Sequence, residues 1–396
     1  MKKYWKTILI SLIIVTTIGT YYIQQAMATK KDVSFKIETT SGNKGEIDNP
    51  ILQASYQNGN IYRWLHISKD GSSNQISRSF IREIIEGYEP LMFKKYIQEH
   101  RNFMRGKEFN PGQYFEDEDR LIYTNFLKNG EGRGDSFTLE VDILDKNTND
   151  TSSFEINTPV QVSYEWINER DVYVENGKIK ILATSYLRGV EELHIYTVDE
   201  NKKELEQDLI LAKIESLEVD QTSSIDIFND YNKVQNENYF LYMVEKYKHL
   251  EDGKREIISS HMYLYNYLNN EVKEWTIPAE LKPYRKLMIL HETDIFIPVR
   301  SANGLKLNRY NIEKKQWEEP LNFKYPSISK DNEEPFLQIT DGKLYLVDRV
   351  SDGHLLFIGD LRTGESLYEG KIIIENKENL DADYSLSIEQ IYNNIH

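Results

Sequence analysis

The sequence predicts an all-β fold made of repeated strand–turn–strand units, with an apolar helix at the N-terminus. Three observations support this. Strand-like stretches recur in the same order along the chain, an Asp or Asn follows the second strand of five units, and the 396 residues include 27 tyrosines. Tyrosine suits half-buried strands that have a polar margin. Because cysteine is absent, disulfides, thiolate catalysis and cysteine zinc ligands are excluded, and core burial must stabilise the fold.

The N-terminal residues 1–28 have the features of a targeting segment. Three lysines among the first six residues are followed by an uncharged stretch of 23 residues, 7–29. A basic flank before an apolar stretch keeps the N-terminus in the cytoplasm and places the rest of the chain outside. The stretch is long enough for a retained transmembrane signal anchor. Alternatively, Ala26-Met27-Ala28 fits a signal-peptidase site, and cleavage after Ala28 would release the chain.

Residues 29–49 form a lead-in to the repeats and contain a predicted strand at 33–38. We expect this strand to pair with residues 370–374, because an unpaired strand edge favours aggregation.

The repeat length indicates the architecture. The residues that end the second strand of each unit are separated by 54, 67, 45 and 49 positions. These residues, which we call the anchors, are Asp145, Asp199, Asn266, Asn311 and Asp360. A short Asp or Asn side chain can cap the backbone of a tight turn. Short strands with a repeat near fifty residues predict a β-propeller of six or seven blades over residues 50–372. A further unit, without the arginine described below, is expected at 61–80.

This order of strands and turns resembles the blades of kelch and quinoprotein-like propellers. The chain lacks the glycine doublet of kelch repeats, the Trp-Asp ending of WD repeats and the tryptophan signature of quinoprotein blades. The resemblance therefore implies a propeller fold over about residues 50–372 and carries no functional residues across.

Three segments depart from the repeat. Apolar residues at helical spacing predict a small helical insertion at about 80–106, which either packs over a blade or docks a partner. Residues 204–219 are predicted as a strand. In the tail, 373–396, we expect a short helix at 385–394.

An arginine series is the sharpest candidate for a site. Arg188, Arg255, Arg300 and Arg349 each lie eleven residues before an anchor, and Arg133 lies twelve before Asp145. Recurrence at one position of each unit predicts a ring of guanidinium groups along one rim. Two interpretations stay open. The arginines could clasp carboxylates or carbonyls of the next blade, or they could bind an anionic ligand through bidentate contacts.

Other site classes have little support. A net charge of −16 disfavours nucleic acid. The acidic run at 116–119 lacks the spacing of a calcium-binding loop. Turns explain Asp135, Asp142 and Asp145 better than a metal site does. The eight histidines do not show the spacing of metal ligands. Nucleophile-elbow, phosphate-loop and Ser-x-x-Lys motifs are absent. We predict no metal or cofactor and favour a non-catalytic role.

The sequence therefore predicts an extracytoplasmic binding protein. It would be held in the cell membrane by one N-terminal helix, or secreted, and would bind a partner protein or an anionic cell-envelope ligand. One alternative is a propeller enzyme acting on an envelope carbohydrate through paired carboxylates. Another is an accessory subunit of a membrane sensor or transporter.

Overall fold

The computed structural model describes most of the chain. The described residues are 5–29, 33–59, 61–74, 91–130, 136–158, 164–215, 220–229, 234, 237–250, 253–301, 304–325, 335–350, 353–375 and 384–393. The chain divides into two compact units, one of residues 1–84 with 326–396 and the other of residues 85–325.

The protein is an all-β chain of the propeller type, in which the described strands form six antiparallel sheets. Each sheet contains a run of four strands, and short hairpins connect strands that are adjacent in sequence. This blade pattern matches the prediction of repeated hairpin units.

The unit of residues 85–325 contains four sheets, numbered here 2 to 5 in chain order. Sheet 2 comprises β5 (Tyr114–Glu116), β6 (Arg120–Lys128), β7 (Phe137–Asp145) and β8 (Thr151–Asn157). Sheet 3 comprises β9 (Trp166–Glu175), β10 (Lys178–Leu187), β11 (Val190–Asp199) and β12 (Glu204–Glu215). Sheet 4 comprises β13 (Gln221–Ile227), β14 (Tyr239–His249), β15 (Arg255–Asn266) and β16 (Glu271–Trp275). Sheet 5 comprises β17 (Ile289–His291), β18 (Asp294–Ser301), β19 (Gly304–Asn311), β20 (Gln316–Trp317) and β21 (Leu321–Lys324).

The other unit contains two sheets built from both ends of the chain. Sheet 1 comprises β26 (Tyr384–Asn393), β2 (Pro50–Asn58), β3 (Ile61–Ser68) and β4 (Gly71–Asn74), in that spatial order. Sheet 6 comprises β22 (Phe336–Thr340), β23 (Lys343–Val350), β24 (Gly353–Asp360), β25 (Ser366–Ile374) and finally β1 (Phe35–Gly42). The predicted pairing of 33–38 with 370–374 is confirmed, since Phe35 lies opposite Ile374 and Glu38 opposite Lys371.

The predicted helix at 385–394 is wrong, because this segment is strand β26. Leu386 and Ile388 are buried and alternate with exposed residues, as a half-buried strand requires. A β-bulge opposite Gln53 and Ala54 then adds one residue, so the next apolar side chain to be buried is Ile391. That insertion changes the spacing from two to three residues and makes a strand resemble one face of a helix.

The anchors repeat one turn geometry in five sheets, at the end of the third strand. In each, the residue after the anchor donates its backbone N–H to the hairpin that joins the first two strands; the donors are Lys146, Glu200, Tyr267, Ile312 and Leu361. The fourth residue after each anchor has a positive φ of 56–74°. These shared hydrogen bonds and dihedral angles show that the five units are structural equivalents.

Asp199 illustrates why the anchor position favours Asp or Asn. Its Oδ1 accepts hydrogen bonds from the backbone N–H groups of Asn201 and Lys202, both at 3.0 Å. Hydrogen bonds from the side chain of Lys178 and from the backbone of Lys202 hold the pKa of Asp199 at about 2. The other four anchors likewise accept from backbone N–H groups two or three residues ahead. The predicted turn-capping role is confirmed.

Apolar clusters between successive sheets form the core of the 85–325 unit. Ile181 and Leu182 are neighbours on β10 and point to opposite faces. Ile181 packs in the cluster shared by sheets 2 and 3, and Leu182 in the cluster shared by sheets 3 and 4. A third cluster joins sheets 4 and 5. Fully burying one such side chain contributes about 1.5–3 kcal/mol.

The helical insertion packs over sheet 2. Its described part contains a 3-10 turn at Leu91–Phe93, helix α2 at Lys94–Glu99 and helix α3 at Arg101–Met104, while 75–90 lie outside the described residues. Four apolar side chains of this part are buried against sheet 2: Phe93, Tyr96, Phe103 and Met104. The predicted strand at 204–219 is confirmed over Glu204–Glu215 as β12, while 216–219 lie outside the described residues.

The N-terminal segment forms helix α1, Trp5–Thr29. Thr16, Thr17 and Thr20 each donate a hydroxyl hydrogen bond to the carbonyl four residues earlier, at 2.8 Å. Across the described residues, no helix combines the length and the apolar character needed to span a membrane. The signal anchor stays a prediction from the sequence.

Candidate functional site

The structure describes four of the five predicted arginines, and Arg133 lies outside the described residues. The four belong to the hairpins that join the second and third strands of a sheet: β10–β11, β14–β15, β18–β19 and β23–β24. We call the end of each sheet at which these hairpins turn its hairpin edge. The arginines therefore lie near the start of the third strand of each sheet, and the anchors lie at its other end.

The four arginines do not occupy one structural position. Arg300 and Arg349 are the second-to-last residues of β18 and β23, whereas Arg188 lies in the turn between β10 and β11, with a φ of 49°. Arg255 is the first residue of β15. The third strands range from 8 to 12 residues in length, so counting eleven residues back from an anchor reaches different points of the hairpin.

The surroundings of the arginines also differ. Arg188 and Arg255 are exposed, and the side chain of neither forms a hydrogen bond or ion pair with any other described residue. Arg300 and Arg349 are half-buried, and both interact with neighbouring groups. Burial and the positive charge of Arg349 lower the pKa of the buried His354 to about 4. The clasp interpretation therefore suits Arg300 and Arg349, and the ligand interpretation suits Arg188 and Arg255.

A stacked aromatic pair lies at the same hairpin edge as Arg188. Trp166, the first residue of β9, is directly opposite Tyr186 on β10. Their rings stack with centroids 5.4 Å apart and planes inclined by 6°, and Trp166 is 41% exposed. Because Tyr186 precedes Arg188 by two residues, a flat aromatic surface and an uncommitted guanidinium share the hairpin edge of sheet 3. This arrangement can bind a ligand that has both an anionic group and an apolar face.

Sequence reasoning missed a buried carboxylate between sheets 2 and 3. Glu169 on β9 is 4% exposed and accepts hydrogen bonds from the backbone N–H of Phe126 at 2.6 Å and from Gln113 Nε2 at 3.3 Å. Strand β5 has only three residues and begins at Tyr114, opposite Tyr123, so it does not reach Phe126 and Glu169 takes the place of a strand partner there. Burial raises the pKa of Glu169 to about 7, although both hydrogen bonds favour the ionised form.

More polar groups surround Glu169. Gln113 Nε2 also lies 3.3 Å from Asn125 Oδ1 and 3.5 Å from Glu108 Oε2. On β7, burial and the charge of Asp142 raise the pKa of Glu140. The cation in this cluster is Lys107, which donates to Asp142 and lies 4.9 Å from the ring centroid of Tyr123. No local motif marks these residues, because Lys107, Glu108 and Gln113 belong to the segment that connects the helical insertion to β5.

The acidic run at 116–119 forms ion pairs. Glu116 accepts a hydrogen bond from the hydroxyl of Tyr96 at 2.6 Å and pairs with Lys146 at 3.0 Å, while Asp117 pairs with Arg120 at 3.0 Å. In the part of the chain that the structure describes, no cluster of His, Asp and Glu is arranged to hold a metal ion.

His194 lies in a buried network on sheet 3. Its Nδ1 is 2.7 Å from Asp208 Oδ1, and its Nε2 is 3.1 Å from the hydroxyl of Tyr164. That hydroxyl donates to Glu192 at 2.6 Å. Because each polar group has a partner and His194 is fully buried, the network holds β11 and β12 together and offers no open ligand position.

No protein-family model and no curated protein matches the chain. Similar solved structures include TolB from Acinetobacter baumannii, at 14% identity over 83% of this chain and 66% of that chain, with a TM-score of 0.31. Polysaccharide lyase Uly1 is similar at 11% identity over 66% and 57%, with a TM-score of 0.36. The β-propeller domain of the Trilobed protease from Pyrococcus furiosus is similar at 10% identity over 64% and 80%, with a TM-score of 0.24. The chain spans less than two thirds of the first two structures.

Proposed function

We propose that this chain is an extracytoplasmic binding protein of the propeller type that holds an anionic cell-envelope ligand at the hairpin edge of sheets 3 and 4. The observation that carries the proposal is the pair of exposed arginines, Arg188 and Arg255, whose guanidinium groups form no hydrogen bond or ion pair with the described residues. A structural arginine is normally satisfied by carboxylates or carbonyls of its own fold. An exposed, uncommitted guanidinium keeps all its donors for a carboxylate or phosphate.

Three further features support the proposal. Sheets 3 and 4 share an apolar cluster, so their hairpin edges belong to one packed body. The Trp166–Tyr186 stack supplies an apolar surface next to Arg188. Since the whole chain carries a net charge of −16, a local cationic site would bind an anion through directed hydrogen bonds and not through bulk attraction.

The proposed location rests on the sequence of the N-terminus. A basic start before the uncharged residues 7–29 favours export of everything that follows. The ligand would then be a phosphate- or carboxylate-bearing envelope molecule, with the chain tethered by α1 or released after Ala28. Sequencing the N-terminus of the mature protein separates these two forms, since a first residue of Thr29 would contradict the tether.

The test measures binding of the full chain in detergent to poly(glycerol phosphate) and to polygalacturonate, with neutral dextran as the comparison. The double variant R188A/R255A should raise the dissociation constant roughly tenfold or more, because two charged hydrogen-bond donors are lost. The melting temperature should not change. Arg362→Ala is the matched control, since Arg362 is also exposed but lies in a turn after an anchor.

Equal polymer binding by the wild type and R188A/R255A would contradict the proposal. If the double variant instead loses a protein that crosslinks to the wild type in intact cells, the ligand is a partner protein and not a polymer.

A second candidate is an enzyme acting on an envelope carbohydrate. It is favoured by two carboxylates in one cluster, Glu140 and Glu169, whose pKa values are both raised by burial. A proton-donating carboxylic acid with a raised pKa is a requirement of glycoside hydrolysis. Release of reducing ends from envelope polysaccharide by the wild type, lost in both Glu140→Gln and Glu169→Gln, would support this candidate. Lack of cleavage by the wild type would remove it.

A further inference from the structure

A cavity lies between sheets 4 and 5, at the edge where the anchors turn. Its volume is about 400 Å³, within the range of about 300–1,000 Å³ that small-molecule sites occupy. Its walls come from β14, β15 and β16 on one side and from β19 with its following turn on the other. It is therefore separate from the hairpin edge, which lies at the opposite ends of these strands.

The inner wall of the cavity is aromatic. Trp275 and Tyr310 line it, with ring centroids 5.3 Å apart and planes inclined by 52°. Trp317 packs behind them, 5.4 Å from Tyr310. Tyr239 adds a third lining ring, and burial raises its pKa, so its hydroxyl keeps its proton at neutral pH. These rings provide flat apolar surface with hydroxyl groups at the margin.

The mouth of the cavity is polar and carries both signs of charge. Lys273 Nζ pairs with Glu271 Oε2 at 2.7 Å, and the Asn269 amide lies 3.4 Å from the same carboxylate. Across the mouth, Lys315 and Glu313 extend from the turn after Asn311. The hydrogen bond from Lys273 and, to a smaller extent, the charge of Lys315 lower the pKa of Glu271. The mouth therefore offers hydrogen-bond donors and acceptors of both charges to a polar ligand, next to the aromatic wall.

We infer that this cavity binds an uncharged sugar residue. A sugar ring presents C–H groups on one face, which suit an aromatic wall, and hydroxyl groups around its margin. Each hydroxyl both donates and accepts, so it can join a carboxylate and an ammonium group at one mouth. A charged ligand would meet a like charge at Glu271 or Lys315, and a wholly apolar ligand would displace water from both groups without replacing its hydrogen bonds.

The test follows tryptophan emission of the full chain while disaccharides of glucose, galactose, mannose and N-acetylglucosamine are added. Because Trp275 lines the cavity, an occupied site should change emission saturably with at least one of these sugars. Lys273→Met should weaken that binding several-fold, since a charged hydrogen-bond donor is lost while the aromatic wall is kept. Tyr310→Leu removes part of the wall and should weaken it tenfold or more.

Lys314→Met is the matched control, because Lys314 is exposed on the same turn but does not line the cavity. No saturable change with any sugar up to about 10 mM, well above a millimolar dissociation constant, would overturn the inference. So would equal weakening by Lys273→Met and Lys314→Met. R188A/R255A should leave sugar binding unchanged, which separates this site from the proposed anion site.

Discussion

Replacing Glu169 with Gln tests whether a buried ionisable carboxyl controls the pH dependence of folding. Glu169 bridges β9 to β6 through the backbone N–H of Phe126. Glutamine has nearly the same shape, and its carbonyl can still accept that hydrogen bond. The amide of Gln113 can also turn so that its Oε1, which has no partner among the described residues, accepts from the new amide. The substitution therefore removes the titration and keeps the hydrogen bond from Phe126.

The sign and size follow from the pKa. Burial raises the pKa of Glu169 from 4.5 to about 7, so the folded state holds the proton over a range in which the unfolded state has released it. The contribution of this proton to the free energy of unfolding is fully present below about pH 4.5, the pKa of the unfolded state. It is lost as the pH rises through about 7, the pKa of the folded state. At 1.36 kcal/mol per pKa unit the total loss is about 3 kcal/mol, of which about 2.5 kcal/mol falls between pH 5 and 8.

The assay is urea unfolding of the wild type and Glu169→Gln at pH 5, 6, 7 and 8. The difference in unfolding free energy, variant minus wild type, should rise by about 2.5 kcal/mol across that range. Glu155→Gln, at an exposed position of β8, is the control and should follow the wild type. If Glu169→Gln and the wild type show parallel pH profiles, the carboxyl is ionised throughout and the argument from burial fails.

Three other perturbations test the fold. Asp360→Ala removes the acceptor of two backbone N–H groups and should lower the melting temperature, whereas Asp360→Asn keeps an acceptor and should melt close to the wild type. Equal melting temperatures of the Ala and Asn variants would contradict the capping role. Arg285 Nε lies 2.6 Å from the buried carboxylate of Glu245. Glu245→Ala removes this partner and should lower the free energy of unfolding, measured in urea, by about 3 kcal/mol. A decrease below about 1 kcal/mol would refute this. Arg300→Ala and Arg349→Ala should each lower the melting temperature by about 2–4 °C if these arginines clasp neighbouring groups, and unchanged melting in scanning calorimetry would reject the clasp.

The sequence supported predictions that depend on local chemistry. The role of Asp199 and its four counterparts could be predicted because a carboxylate or amide next to a turn bonds its own backbone, whatever the surroundings. The pairing of β1 with β25 was also predictable, since an apolar strand near each end of the repeat needs a partner. The same reasoning failed for β26, where one bulged residue near Gln390 changed the period.

The candidate sites were harder to predict because they depend on contacts between distant segments. The common spacing of Arg188 and Arg300 concealed different positions, since it ignored the length of the third strand. Glu169 carries no local signal, because its raised pKa comes from lying beside the short strand β5 of another sheet. Trp275 and Tyr310 line one cavity, although 35 residues separate them in sequence and only the packing of sheets 4 and 5 brings them together.

The use of β26 as a partner for β2 has a consequence for biogenesis. β26 starts 310 residues after β4 ends, yet it completes the same sheet. Sheet 1 therefore cannot form completely until residues 384–393 have been synthesised, so β2 lacks one of its two neighbouring strands through most of synthesis. Deleting β26 should therefore loosen β2, which would lose one of its two neighbouring strands although the two strands are far apart in sequence.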